Sequence, residues 1–219
     1  MKTQQMDVWS SEFGEAYTQR NSFQGIEAFE AFYVDRFGKT RTELNEIYLG
    51  DLPKSARILE VGCNIGNQLH CLRNAGFENL FGVELQQSAV EWAHTNRPWL
   101  NIVHGSAFDI PFKDQFFDVV FTNNVLIHIA PTDLANVLGE MHRVTRRHIW
   151  GFEYYAPELV EIPYRGETSL LWKGDYPDLM CRQFEDLKTV GSTLFEYQDG
   201  SGLVDKLYLL ERVSSKDAK

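Results

Sequence analysis

The stretch Ile58-Leu59-Glu60-Val61-Gly62-Cys63-Asn64-Ile65-Gly66-Asn67-Gln68-Leu69 constrains the fold more than any other part of the chain. An apolar run carrying one carboxylate feeds directly into a tight turn and then into helical spacing. Gly62 lets a ligand approach the backbone, Asn64 suits a left-handed conformation, and Gly66 allows close packing where the helix starts. In a parallel sheet flanked by helices, such a turn lies at the carboxyl ends of the strands, where ligands bind. The spacing is Gly-x-x-x-Gly rather than the Gly-x-Gly-x-x-Gly of a dinucleotide site, and Glu60 stands two residues before the first glycine. A carboxylate there disfavours a diphosphate and suits a cationic ligand.

Glu84 closes the next apolar run, Leu80 to Val83, in the position that accepts hydrogen bonds from ribose hydroxyls. Together the two acids point to a nucleoside with a positively charged attachment and no phosphate chain. A side chain at Gly66 is expected to block that ligand.

Apolar runs alternate with helical patterns around this turn. Strands are expected at 57–61, 80–83, 102–103, 117–121 and 148–152, and a helix opening at Pro131 has Leu134, Val137, Leu138 and Met141 on one face. This alternation implies a parallel sheet with helices on both faces. The end differs, because 193–197 and 206–212 read as an antiparallel hairpin joined by Asp199-Gly200-Ser201-Gly202. Residues 1–50 read as a helical, aromatic-rich extension with Ile26, Phe29, Tyr33 and Phe37 at helical spacing. No linker long enough to divide two domains interrupts the 219 residues.

Charge and composition narrow the partners. A net charge of −10 with 21 Lys and Arg argues against nucleic acid, which is bound chiefly by neutralising phosphates. Cys63, Cys71 and Cys181 form neither a disulfide framework nor a zinc pattern, and the histidines lack metal-ligand spacing, so no metal is expected. Without an apolar signal region or a membrane-length apolar run, the chain is expected in the cytoplasm.

With these residues in place, the sequence resembles the class I S-adenosylmethionine-dependent methyltransferases. Glu60 to Gly66 is similar to their first motif and Glu84 to their ribose-binding acid. Gly105-Ser106-Ala107-Phe108-Asp109 resembles their adenine loop, and Phe117 to Ile129 their fourth-strand motif. The resemblance implies a Rossmann-like, seven-stranded, mostly parallel α/β sheet with an antiparallel C-terminal hairpin. It also implies S-adenosylmethionine as cofactor, with S-adenosylhomocysteine as product. The implied cofactor residues are Glu60, Gly62, Cys63, Asn64, Gly66, Glu84, Leu85, Ser106, Ala107, Phe108 and Asn123. Ser106 departs from the Asp that many members carry, which shifts the adenine contact to Asp109 or to the backbone at Ala107 and Phe108. One methyltransferase domain over 1–219 is expected, with a helical cap at 1–50, a cofactor core at 55–155, a substrate loop at 153–180 and a terminal hairpin at 190–213.

Two further stretches are rich in reactive and aromatic groups. A helix after Glu12 places Phe13, Tyr17 and Arg20 or Asn21 on one face, either as packing or as a lid over the glycine turn, with Arg20 offering a fork to a carboxylate. The region after the fifth strand carries Glu153, Tyr154, Tyr155, Tyr164 and Arg165, with Pro157 and Pro163 breaking regular structure, as a specificity loop would. These stretches resemble the pseudaminic acid biosynthesis-associated methylases. That resemblance implies a small acceptor, such as an acidic sugar or nucleotide sugar, in bacterial surface-glycan biosynthesis. His128 follows the fourth strand either as a general base or as an anchor for its loop; Glu153 and Tyr17 are the other candidate catalytic groups. Two other readings remain open at this level: a nicotinamide-dependent sugar-modifying oxidoreductase and a non-catalytic cofactor-binding scaffold. The oligomeric state is not legible.

Overall fold

Four helices precede the first strand, and each is bounded by residues suited to the task. The computed structural model describes residues 3–23 and 25–213. Helix α1 spans Gln4–Trp9 and α2 spans Glu12–Arg20, with Thr3 and Ser11 as side-chain N-caps. Helix α3, Ile26–Phe37, buries Phe29, Tyr33 and Phe37 and ends at Gly38 in the left-handed conformation. Helix α4, Arg41–Leu49, opens with a reciprocal capping box between Thr40 and Glu43.

The chain divides into two compact units, between Pro111 and Phe112. In the first, strands β1 (Arg57–Val61), β2 (Asn79–Glu84) and β3 (Asn101–His104) pair in parallel, with β2 central. Helices α5 (Asn67–Asn74) and α6 (Gln87–Asn96) form the crossovers. Ile58, Leu59 and Val61 are all buried, as expected for a strand covered on both faces.

In the second unit, β4 (Phe117–Asn123) pairs in parallel with β5 (Thr145–Tyr154). A 3₁₀ turn at Leu126–His128 and helix α7 (Pro131–Val144) connect them. Pro131 starts α7, and Leu134, Val137, Leu138 and Met141 face the core as the periodicity predicts. After β5 comes a small ribbon, β6 (Val160–Glu161) with β7 (Trp172–Lys173), then α8 (Tyr176–Gln183). Strands β8 (Leu187–Glu196) and β9 (Val204–Arg212) form the terminal hairpin, and β9 lies antiparallel to β5. The sheet order is β3-β2-β1-β4-β5-β9-β8, so the expected seven-stranded, mostly parallel sheet with an antiparallel end is what forms.

Most strands run a residue or more beyond the sequence expectation, and two starts differ most. Strand β5 begins at Thr145, and β8 begins at Leu187 because a bulge between Thr189 and Gly191 breaks its alternation. The β6–β7 ribbon is an addition, since two-residue strands carry no periodicity to read.

Candidate functional site

In the first unit, the turn after β1 is built around two carboxylates. Gly62 and Gly66 adopt positive φ of 73° and 78°, and Asn64 between them adopts 48°. Gly62 and Cys63 N–H both donate to the Val83 carbonyl, which fastens the turn to the end of β2. A Cβ on Gly66 would meet Leu100 Cδ1 at 2.7 Å and Ile102 Cδ1 at 2.9 Å. A side chain at Gly66 therefore meets the protein itself. The obstruction lies in helix-to-strand packing.

Glu84 accepts from Asn64 N–H at 2.7 Å through Oε2 and from Gln86 N–H at 2.8 Å through Oε1. Burial pushes its pKa up, against the pull of those amides. Glu60 is buried, and its Oε2 has no hydrogen-bond partner among the described residues. Burial holds the Glu60 carboxyl well above the usual range, opposed by the charge of Arg41; Glu84 pushes further up and Arg97 pulls down. The Cys63 thiol is raised by burial and then by the charges of Glu60 and Glu84, so both acids act on one locale. Buried Arg41 was missed by sequence reasoning, because a charged residue at a helix start reads as exposed.

Helix α2 meets this turn through Thr18, which accepts from Asn64 Nδ2 at 2.8 Å and donates to Gln86 Oε1 at 3.1 Å. Asn67 Nδ2 donates to the Asn21 carbonyl at 3.1 Å. Tyr17 and Phe13 pack edge-on against Trp9, while Arg20 is exposed. In the loop after β3, Ser106 Oγ accepts from Phe108 N–H at 3.2 Å, so that amide is already engaged. Ser106 and Ala107 are half-buried, Asp109 is exposed, and Leu85 is half-buried directly beyond Glu84.

In the second unit, Glu153 lies at the end of β5, almost wholly buried. Its carboxyl accepts from Val125 N–H at 3.2 Å and Ile127 N–H at 3.4 Å, holding the 3₁₀ turn that carries His128. Burial pushes Glu153 up to about 8, against the amides and Thr122. His128 is buried, with Nδ1 2.8 Å from the Leu170 carbonyl and its ring 5.3 Å from that of Tyr164. Burial lowers its pKa to about 4. A neutral ring bonded to a carbonyl must donate from Nδ1, which puts the lone pair on Nε2.

Arg165 is exposed, with φ of 54°, and its guanidinium lies 5.8 Å from the Tyr164 ring. Tyr154 sits 5.6 Å from Lys173 Nζ, and Tyr155 is 4.2 Å from Lys206 Nζ. His128, Tyr164 and Arg165 thus form one contiguous row, while Tyr154 and Tyr155 belong to a lysine-flanked patch beside β9. Asn123, half-buried, ends β4 in register with Phe152. Among the described residues, no cluster of His, Cys, Asp or Glu is placed to hold a metal ion, and no helix is long and apolar enough to cross a membrane.

Comparison with known proteins places this geometry. Residues 59–148 match the family model described as a methyltransferase domain. A 24-methylenesterol C-methyltransferase of Oryza sativa subsp. japonica is 26% identical over 152 residues, covering 65% of this chain and 39% of that protein. The chain spans between 39% and 50% of the length of three such curated relatives. The Burkholderia thailandensis 1,6-didemethyltoxoflavin-N1-methyltransferase, solved with S-adenosylhomocysteine, aligns with TM-score 0.70 at 16% identity over 95% of this chain and 88% of that one. A SAM-dependent methyltransferase structure from Methanosarcina mazei aligns with TM-score 0.62 at 16% identity, covering 76% of this chain and 97% of that one. Residues 59–148 are thus similar to a methyltransferase domain, and the chain shares the fold of these S-adenosylmethionine-dependent methyltransferase structures.

Proposed function

We propose that the protein transfers a methyl group from S-adenosylmethionine to a small, anionic, sugar-derived acceptor of the kind used in bacterial surface-glycan biosynthesis. The observation that carries the cofactor half is Glu60 Oε2, buried and without a hydrogen-bond partner beside a second buried carboxylate. An unsatisfied buried acceptor is costly, and a ligand bringing positive charge and N–H donors removes that cost. A diphosphate would add negative charge at the same place. The residues present therefore fit a cationic nucleoside and not a dinucleotide.

Glu84 has lone pairs remaining on both oxygens after its two amide bonds, which suits paired ribose hydroxyls. When bound, S-adenosylmethionine supplies an electrophilic methyl on a positively charged sulfur. The protein's work is then to orient the acceptor and exclude water, which supplies about 7–11 kcal/mol where the geometry is near-attack. Glu153 positions the 3₁₀ turn, and the turn presents His128 as a neutral imidazole. From that tautomer Nε2 accepts a proton from a hydroxyl acceptor, whereas a carboxylate acceptor needs no base. Tyr17 is the remaining catalytic candidate, held at the α2 face by Trp9.

The acceptor half rests on the row His128–Tyr164–Arg165 and on the Tyr154 and Tyr155 patch. Aromatic faces suit a sugar ring, and an exposed guanidinium suits a carboxylate or phosphate. Arg20 is a second, separate cation of this kind. The test is incubation with methyl-labelled S-adenosylmethionine and a panel of sugar nucleotides and free acidic sugars, read by mass spectrometry. Label in an acidic sugar is the expected result. Failure of the protein to bind S-adenosylhomocysteine by calorimetry overturns the cofactor half. Label confined to uncharged acceptors overturns the sugar-acid half.

A further inference from the structure

The hydrogen bonds around Glu84 close into a ring. Glu84 Oε2 accepts from Asn64 N–H, Asn64 Nδ2 donates to Thr18 Oγ1, Thr18 Oγ1 donates to Gln86 Oε1, and Gln86 N–H returns to Glu84 Oε1. Three members lie in the turns that follow β1 and β2. The fourth, Thr18, comes from helix α2, 46 residues from Asn64 and 68 from Gln86. Other contacts seat the same helical pair: a Cβ on Gly14 would stand 2.0 Å from the Trp9 carbonyl oxygen and 3.0 Å from Gln86 Nε2. Ser106 Oγ lies 3.9 Å from Met6 Sδ, so α1 reaches the loop after β3 as well.

We infer that Thr18 is a positioning residue that ties helix α2 across the two turns flanking Glu84, so that a nucleoside enters or leaves only when this tie opens. The inference rests on the cofactor assignment proposed above. Only a hydroxyl fills the position, because Thr18 must accept from an amide N–H and donate to an amide oxygen at once. Losing the hydroxyl takes this partner from Asn64 Nδ2 and Gln86 Oε1 together, while Asn64 Oδ1 keeps its bond from Ile65 N–H. Thr18 thereby fastens the side chains of the same two residues whose backbone amides hold the Glu84 carboxylate. It touches no reacting atom on this account; it governs exchange.

The test uses the full chain as wild type, Thr18→Val and Thr18→Ser, with S-adenosylhomocysteine as the probe. Stopped-flow fluorescence follows Trp9, which packs on Tyr17 one residue away from the tie. Thr18→Val is expected to raise both the association and the dissociation rate about tenfold, the scale of one or two neutral hydrogen bonds. Thr18→Ser, which keeps the hydroxyl, is expected to restore wild-type rates. Rates in Thr18→Val equal to wild type overturn the inference, as does a Thr18→Ser variant that behaves like Thr18→Val. Amide exchange over residues 12–20 in the free protein separates this from the cofactor assignment. A wild type that binds no S-adenosylhomocysteine refutes that assignment, and equal α2 protection in wild type and Thr18→Val then refutes the tie on its own.

Discussion

His128 Nδ1 lies 2.8 Å from the carbonyl oxygen of Leu170, so a residue in the excursion after β5 sets the tautomer of the histidine after β4. The bond joins the two segments that carry the acceptor candidates. Burial keeps the imidazole neutral, against the pull of that carbonyl, which favours the charged ring.

Neutrality has a measurable cost at low pH. The folded protein holds His128 at about 4, below the ordinary imidazole value of 6.5, so the unfolded chain takes up the proton first. The stability linked to His128 is full above pH 6.5 and is lost as pH falls toward 4, amounting to about 3 kcal/mol for a fully buried group. Urea unfolding at pH 7 and pH 4.5 is the measurement. The difference in stability between wild type and His128→Gln should shrink on acidification; a constant difference contradicts the assignment.

Glu153 runs in the opposite sense. Its folded value is about 8 against 4.5 when unfolded, so the folded state keeps a proton that the unfolded state releases. Stability linked to this group is greatest below pH 4.5 and is lost as pH rises toward 8, by a few kcal/mol. Glu153→Gln removes that dependence. Its stability relative to wild type should therefore rise from pH 5 to pH 8, and an unchanged difference in denaturant midpoint refutes it.

Glycines with the same backbone sign have different roles. Gly66→Ala places a Cβ against Leu100 and Ile102 at a φ of +78°, whereas Gly166→Ala at +86° meets nothing within 4 Å. Gly66→Ala should cost about 2–4 kcal/mol, from overpacking added to backbone strain. Gly166→Ala should cost about 1 kcal/mol, from strain alone. Thermal unfolding of the two variants decides it, and equal losses would contradict the packing role of Gly66.

What the sequence made legible follows physical range. Strand β1 and helix α7 read correctly because their burial is written in adjacent or periodic residues. The ends of β5 and β8 did not, since a bulge near Val190 and the charged pair Arg146-Arg147 hide the strand from pattern. Glu60 and Glu84 stood out as acids at strand ends. Thr18 did not, because its importance comes from partners 46 and 68 residues away. Arg41 was hidden for a similar reason: its burial depends on how α4 packs, not on its local context.

Glu60 couples ligand affinity to pH. Its carboxyl is raised by burial in the free protein, and a cation bound beside it favours the ionised form. Binding then releases a proton, so affinity for S-adenosylmethionine should strengthen as pH rises and level off once Glu60 is ionised without ligand. Calorimetry in buffers of different ionisation enthalpy measures that proton directly. Glu60→Gln should bind more weakly and show no such release; a variant with the wild-type proton count moves the linkage elsewhere.

Arg165 separates acceptor from cofactor. It sits exposed over Tyr164, whose ring stands 5.3 Å from that of His128, while Glu60, Glu84 and the glycine turn lie in the other unit. An exposed guanidinium at the end of that row costs little to remove, so Arg165→Ala should fold normally. Losing a forked contact to an anion should raise KM for a charged acceptor about tenfold, with kcat and affinity for S-adenosylhomocysteine within about twofold of wild type. Arg165→Lys should recover only part of the loss, because an ammonium keeps the charge without the fork. A fall in cofactor affinity alongside the KM change would assign Arg165 to the cofactor, and an unchanged KM would remove it from the acceptor site.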